Sequence, residues 1–198
     1  MKLKIFSTLL FLFSFSAHAK RILFLGDSLT AGYGVARENS YPSLIEMQLK
    51  KSGKTVSLIN ASISGSTTAS AVKRLKWQLK QKPDILVLAL GANDGLRGFD
   101  VKISEKNLSE TIELAKSHQV HVILAGMRVP PNYGKKYAKQ FDSIFAKIAK
   151  SYKIPLIPFL LEGVAGQKQL NQADGIHPNE KGHQIIAKLV YPFILEAL

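Results

Sequence analysis

From residue 20 onward, short uninterrupted apolar runs alternate with longer stretches in which apolar residues recur every three or four positions. Ile22-Leu23-Phe24-Leu25 is the first run, and it stops at Gly26. Runs at 56–59, 85–90, 120–125 and 154–157 repeat the pattern, and each predicts a strand. Between them the period lengthens. From Tyr41, Pro42 fits a first helical turn, Leu44, Ile45 and Leu49 form a stripe, and Gly53 closes the helix. Residues 69–81 place Val72, Leu75 and Leu79 on one face and stop before Pro83. Leu108, Ile112 and Ala115 mark a helix over 104–117, and Phe141, Ile144, Phe145 and Ile148 one over 137–152. A closing helix over 179–198 is expected to be interrupted near Pro192. Strands that are continuously apolar, rather than alternating, are buried on both faces. The chain therefore predicts a three-layer α/β/α domain around a five-stranded parallel sheet with right-handed crossovers.

Composition then separates the N-terminus from this domain. Residues 1–4 carry Lys2 and Lys4, residues 5–15 are apolar but for Ser and Thr, and Ala17-His18-Ala19 follows. A basic start, an apolar stretch too short for ~30 Å of hydrocarbon and a small-x-small triplet predict a cleaved signal peptide at 1–19, a single domain at 20–198, and a periplasmic or secreted protein. Removal of residues 1–19 takes 198 residues to 179 and a formal charge of +13 to +11. The chain has no cysteine, which excludes a disulfide scaffold, a thiolate metal site and a Cys nucleophile. The basic excess favours anionic surfaces such as lipid headgroups or nucleic acid and is silent about fold.

In a parallel sheet, chemistry belongs on the loops after the strand carboxyl ends. Those loops, at 26–34, 60–68, 91–98, 126–134 and 161–178, hold most of the Gly, Asn, Ser and Asp outside the helices. The first reads Gly26-Asp27-Ser28-Leu29. A serine hydroxyl at neutral pH attacks only if a base takes its proton, and a histidine oriented by a carboxylate is the usual base. The last loop supplies Asp174-Gly175-Ile176-His177, in which residues three apart in a turn can face each other. Ser28, His177 and Asp174 then make a triad. For the developing oxyanion, Gly65 offers an unobstructed N–H, Asn93 a side-chain NH₂, and Ser28 its own N–H.

Gly26-Asp27-Ser28-Leu29, Gly65, Gly91-Ala92-Asn93-Asp94 and Asp174-Gly175-Ile176-His177-Pro178 resemble, in order, the sequence blocks of the SGNH or GDSL hydrolases. The resemblance spans residues 20–198. More narrowly, residues 60–65, 93–98 and 130–134 are similar to the bacterial periplasmic branch described as thioesterase, arylesterase and lysophospholipase. It implies a flavodoxin-like fold, Ser28 as nucleophile, His177 as base, Asp174 as its orienting carboxylate, and Ser28, Gly65 and Asn93 as the oxyanion hole. It implies no metal and no cofactor. It further implies a mobile loop at 127–134 beside an acyl-chain groove, with Val129 and Pro130 touching a lipid tail. Ala92 departs from the glycine common in close relatives, which bears on substrate range.

The expected substrate is a small acyl ester or lysophospholipid, cleaved through an acyl-serine intermediate by a monomer without a nucleic-acid partner and with peripheral contact to an anionic membrane surface. A carbohydrate O-deacetylase of the same fold is the rival reading, and a non-catalytic basic binding module a second. Ser28, Asn93, Asp174 and His177 also have bland readings as turn and capping residues. Asp27 and Asp94 are more simply loop acceptors than a glycosidase pair. Gly26, Gly32 and Gly34 fit no nucleotide-binding spacing. His118, His121 and His183 read as structural, and Lys73, Arg74, Lys76, Lys80 and Lys82 as a solvated helix face.

Overall fold

The structure, a computed structural model, describes residues 19–198. All but Ala19 of the expected signal peptide lies outside them. Strands β1 (Lys20–Gly26), β2 (Val56–Asn60), β3 (Ile85–Ala89), β4 (His121–Ala125) and β5 (Leu156–Ile157) form one parallel sheet in the order β2-β1-β3-β4-β5. Each pairs in parallel with its neighbours, as the continuous apolar runs require. Residues 22–25, 85–90 and 122–125 are buried along their whole length, whereas the edge strand β2 is buried only at Val56.

Helices cover both faces. Helix α2 (Tyr41–Lys51) packs on α7 (Glu180–Ala197), while α3 (Ala71–Gln78), α5 (Val101–Ser117) and α6 (Lys135–Tyr152) form a row on the other side. Their predicted stripes are the faces that go inward. Leu108, Ile112 and Ala115 of α5 and Phe141, Ile144, Phe145 and Ile148 of α6 are all buried. Two short helices, α1 (Ser28–Ala31) and α4 (Ala92–Leu96), lie within segments expected as loops. Helix α7 continues through Pro192 without the expected interruption. Val190 and Ile194, one on each side of it, are both fully buried, and that packing offsets the lost backbone hydrogen bond.

The strand order has a functional consequence. The chain winds outward from β1 to β2, then returns to place β3 on the other side of β1, so the order reverses between β1 and β3. Adjacent loops diverge there and leave a crevice at the strand carboxyl ends. Ser28 follows β1 and Asn93 follows β3, one on each lip.

Candidate active site

The β1 strand turns into α1 within two residues. Gly26 permits this, because a Cβ there would collide with the Thr30 side chain and crowd the Ala89 carbonyl. Asp27 caps α1 by accepting the Leu29 N–H at 3.0 Å, which leaves Ser28 as the first helical residue. Asp27 is fully buried, and burial pushes its carboxyl up to about 6, against the hydrogen bonds that favour its charged form.

His177 reaches Ser28 from the loop after β5, the strand at the far edge of the sheet. Its Nε2 lies 2.9 Å from Ser28 Oγ, and its Nδ1 lies 2.7 Å from Asp174 Oδ2. The second Asp174 oxygen accepts the N–H of Ile176 at 2.9 Å and of His177 at 3.0 Å, with Gly175 between them at φ 73°. The His177 N–H, its ring and the Ile176 N–H together hold the Asp174 carboxyl down at about 2. Asp174 is ionised at neutral pH and accepts only, so His177 Nδ1 donates to it and Nε2 faces the serine as an acceptor. The structure thus brings Ser28, His177 and Asp174 into one hydrogen-bonded line.

The expected oxyanion donors stand on three loops. Asn93, on α4, directs its amide nitrogen to the Ser66 carbonyl at 3.1 Å and to Asp27 Oδ2 at 3.4 Å, and it lines the crevice with Ser28 and His177. Gly65 has φ 77°, and its carbonyl accepts Arg97 Nη2 at 3.1 Å. It is outside the crevice lining, and among the described residues neither its N–H nor that of Ser28 donates to a protein acceptor. Asp94 is not paired with Asp27. It is a buried acceptor that fastens the loop after β2 to α5 through Thr68 N, Thr68 Oγ1 and Ser104 Oγ.

The crevice holds about 470 Å³ and is walled by Leu29, Ala92, Leu96, Val129, Pro130, Phe159, Leu161 and Ile176 around Ser28 and His177. Its size and apolar walls suit a small apolar ligand. Arg128 is the cation at its edge, 4.9 Å above the Phe159 ring and 3.7 Å from Glu162. Val129 and Pro130 are both in the wall, and the loop that carries them is tied down by Tyr133 Oη, which donates to the Leu96 carbonyl at 2.9 Å.

Three supporting residues carry no sequence signal that singles them out. Arg74, expected among the solvated cations of α3, turns inward instead. Its Nη2 donates to the Gly26 carbonyl at 2.9 Å and the Ala61 carbonyl at 2.6 Å, joining the loops that carry Ser28 and Gly65. Gln172 joins the first and last loops by donating to the carbonyls of Tyr33 and Pro178 at 2.6 and 3.0 Å. Tyr33 sets its ring 4.7 Å from that of His177. Two other histidines play local parts. His183 Nδ1 accepts the Tyr41 N–H at 3.3 Å, and burial pulls its pKa down to about 4. His118 contacts the Leu114 carbonyl at a helix end.

Residues 24–185 match the family model for GDSL-like lipases and acylhydrolases. The chain is 43% identical over 176 residues to an arylesterase of Vibrio mimicus, covering 88% of each protein. It is 40% identical over 173 residues to the thioesterase 1/protease 1/lysophospholipase L1 of Escherichia coli K12, covering 87% of this chain and 82% of that one. Among solved structures, the psychrotrophic esterase EstA from a Pseudoalteromonas species, inhibited by monoethylphosphonate, superposes with a TM-score of 0.85 at 37% identity. That match covers 89% of this chain and 97% of the esterase.

Proposed function

The chain belongs to the GDSL-like lipase/acylhydrolase family and is a serine hydrolase acting on esters; from that premise we propose that Ser28, His177 and Asp174 are its catalytic residues and that its substrates are lipid acyl esters, lysophospholipids and thioesters. The observation that carries this reading is the Ser28–His177–Asp174 line opening into an apolar crevice. As the Ser28 hydroxyl attacks the acyl carbon, His177 Nε2 takes its proton and the carbonyl electrons move onto oxygen. The oxyanion is held by the N–H groups of Ser28 and Gly65 and the Asn93 amide, each worth about 3 kcal/mol in the transition state. Collapse expels the alcohol or thiol, which leaves with the proton from His177. Water then attacks the acyl-serine by the same route, and Ser28 recovers its proton as the acid departs.

Asp174 stays ionised throughout, fixes the ring tautomer and stabilises the transient imidazolium. The apolar walls at Leu29, Val129, Pro130 and Leu161 favour an alkyl acyl group over the acetyl group of a sugar ester, which would leave that surface unfilled. Residues 1–19 make this an exported enzyme, meeting acyl esters in the periplasm or outside the cell. The test is steady-state hydrolysis of p-nitrophenyl esters from acetyl to palmitoyl. Wild type should prefer medium or long chains, and Ser28→Ala and His177→Ala should fall to near background. A Ser28→Ala variant that keeps its rate sinks the assignment.

A further inference from the structure

The large apolar side chains left exposed are not scattered at random. Tyr33, Ile63, Phe99, Tyr133 and Ile176 are 52%, 55%, 42%, 38% and 48% exposed. They fall one on each of the five segments that follow the strand carboxyl ends. Among the described residues, the remaining large exposed apolar side chains, Met47, Trp77, Ile103 and Leu195, lie on helix faces, and none lies on the turns at the opposite end of the sheet.

Nor are the five displayed by loose chain. The backbone N–H of each is already engaged: Tyr33 to the Ser28 carbonyl at 3.1 Å, Ile63 to Gly26 at 3.2 Å, Phe99 to Asp94 at 3.0 Å and Tyr133 to Pro130 at 3.1 Å. Ile176 donates to Asp174 Oδ1 at 2.9 Å. A fixed backbone that holds an apolar side chain in water spends hydrophobic energy that folding does not recover, and it does so on all five segments at the end of the sheet where the crevice opens.

We propose that this row of side chains is a docking surface for a phospholipid bilayer bearing anionic headgroups, which sets the mouth of the crevice against the lipid from which its substrate is drawn. Aromatic and aliphatic side chains of this mix settle at the headgroup level of a bilayer. Charge complements them. Residues 20–198 carry a formal +11, exposed Arg97 stands two residues before Phe99, and exposed Lys135 and Lys136 follow Tyr133 at the start of α6, where the helix dipole disfavours cations. Asp100, beside Phe99, is engaged in capping α5 through Lys102 N. The biological meaning of the surface rests on the esterase reading, but its binding does not.

The experiment is co-sedimentation of the full chain with sucrose-loaded vesicles of phosphatidylglycerol and phosphatidylcholine, beside the double variant Ile63→Ser/Phe99→Ser. Neither residue touches the crevice, so hydrolysis of p-nitrophenyl butyrate should be unchanged and reports an intact fold. Wild type should pellet with the vesicles, and the double variant should partition about tenfold more weakly and lose rate on vesicle-borne lysophospholipid. Equal partitioning of the two proteins, including binding carried by residues 1–19, overturns the proposal. So does wild type that stays in the supernatant, or sedimentation velocity showing a wild-type dimer that the double variant abolishes without any vesicle binding. Vesicle binding without ester hydrolysis would leave the docking surface standing and remove the esterase reading; hydrolysis without binding would do the reverse.

Discussion

Replacing Arg74 with methionine keeps an unbranched apolar stem and removes its hydrogen bonds to the Gly26 and Ala61 carbonyls, 2.9 and 2.6 Å away. Each is a charge-assisted bond, and a carbonyl left without a donor costs about 1–3 kcal/mol. Arg74 is half-buried, so water recovers part of that loss. The guanidinium also gives some back, since its Nε is buried without a partner and burial lowers its pKa. A net destabilisation of about 2–4 kcal/mol follows, which for a domain of this size lowers Tm by roughly 4–16 °C. The two carbonyls lie one residue before Asp27-Ser28 and four before Gly65, so freeing them also loosens Ser28, the proposed nucleophile, against Gly65, its proposed oxyanion donor. A displacement of that kind costs about 10–100-fold in kcat on a short-chain p-nitrophenyl ester, with KM little changed. Thermal melting and steady-state kinetics read both effects, and Arg74→Lys, with one compact donor, should fall between. If Arg74→Met melts within about 1 °C of wild type, the bracing role is wrong. If it melts low but keeps full kcat at 25 °C, Arg74 supports the fold and not the site.

Asp174→Asn retains an oxygen for the Ile176 and His177 N–H groups but turns an NH₂ toward His177 Nδ1, forcing the wrong tautomer; kcat on p-nitrophenyl butyrate should drop roughly 10³–10⁴-fold with little change in Tm. Asp27 has its folded pKa raised by burial, so it favours the folded state when protonated and opposes it once charged, and stability from this group falls as pH rises from about 4 to about 6. Burial depresses His183 instead, so its contribution falls as pH drops from 6.5 to about 4, and the two slopes offset each other across that window. Asp27→Asn, which can still cap α1, should therefore raise Tm at pH 8 and uncover a fall in stability between pH 6.5 and 4, read by urea titration at each pH. Val129→Ala should lower kcat/KM for an octanoyl ester about 3–10-fold and leave the acetyl ester nearly unchanged, since only the longer chain reaches that wall.

The sheet was legible because a strand buried on both faces must be apolar at every position, as 22–25 and 85–90 are. Of the apolar run at 154–157, only Leu156 and Ile157 pair as β5. Pro155 accepts from Leu124 N but has no N–H to return, so the ladder starts late. Helix α4 left no periodic trace, because five residues containing one glycine are too few to show a stripe. Ser28, Asp174 and His177 could be found because their chemistry is local in sequence: a serine at a strand end, and a carboxylate three residues from an imidazole. Arg74 and Gln172 could not. Each acts on carbonyls from two distant loops, and composition cannot say which cation of a basic helix, or which glutamine of a polar loop, turns inward.

Gln172 and His177 both arrive after β5, and the Ser28–His177 contact spans 149 positions of the chain. A polypeptide of residues 1–170 holds every strand and Ser28, yet it lacks Asn171, Gly175, Ile176 and His177 of the crevice wall and the Gln172 clamp. On the proposed catalytic assignment, ester cleavage therefore switches on only when the final segment docks, and a nascent or stalled polypeptide carrying every strand would leave esters untouched.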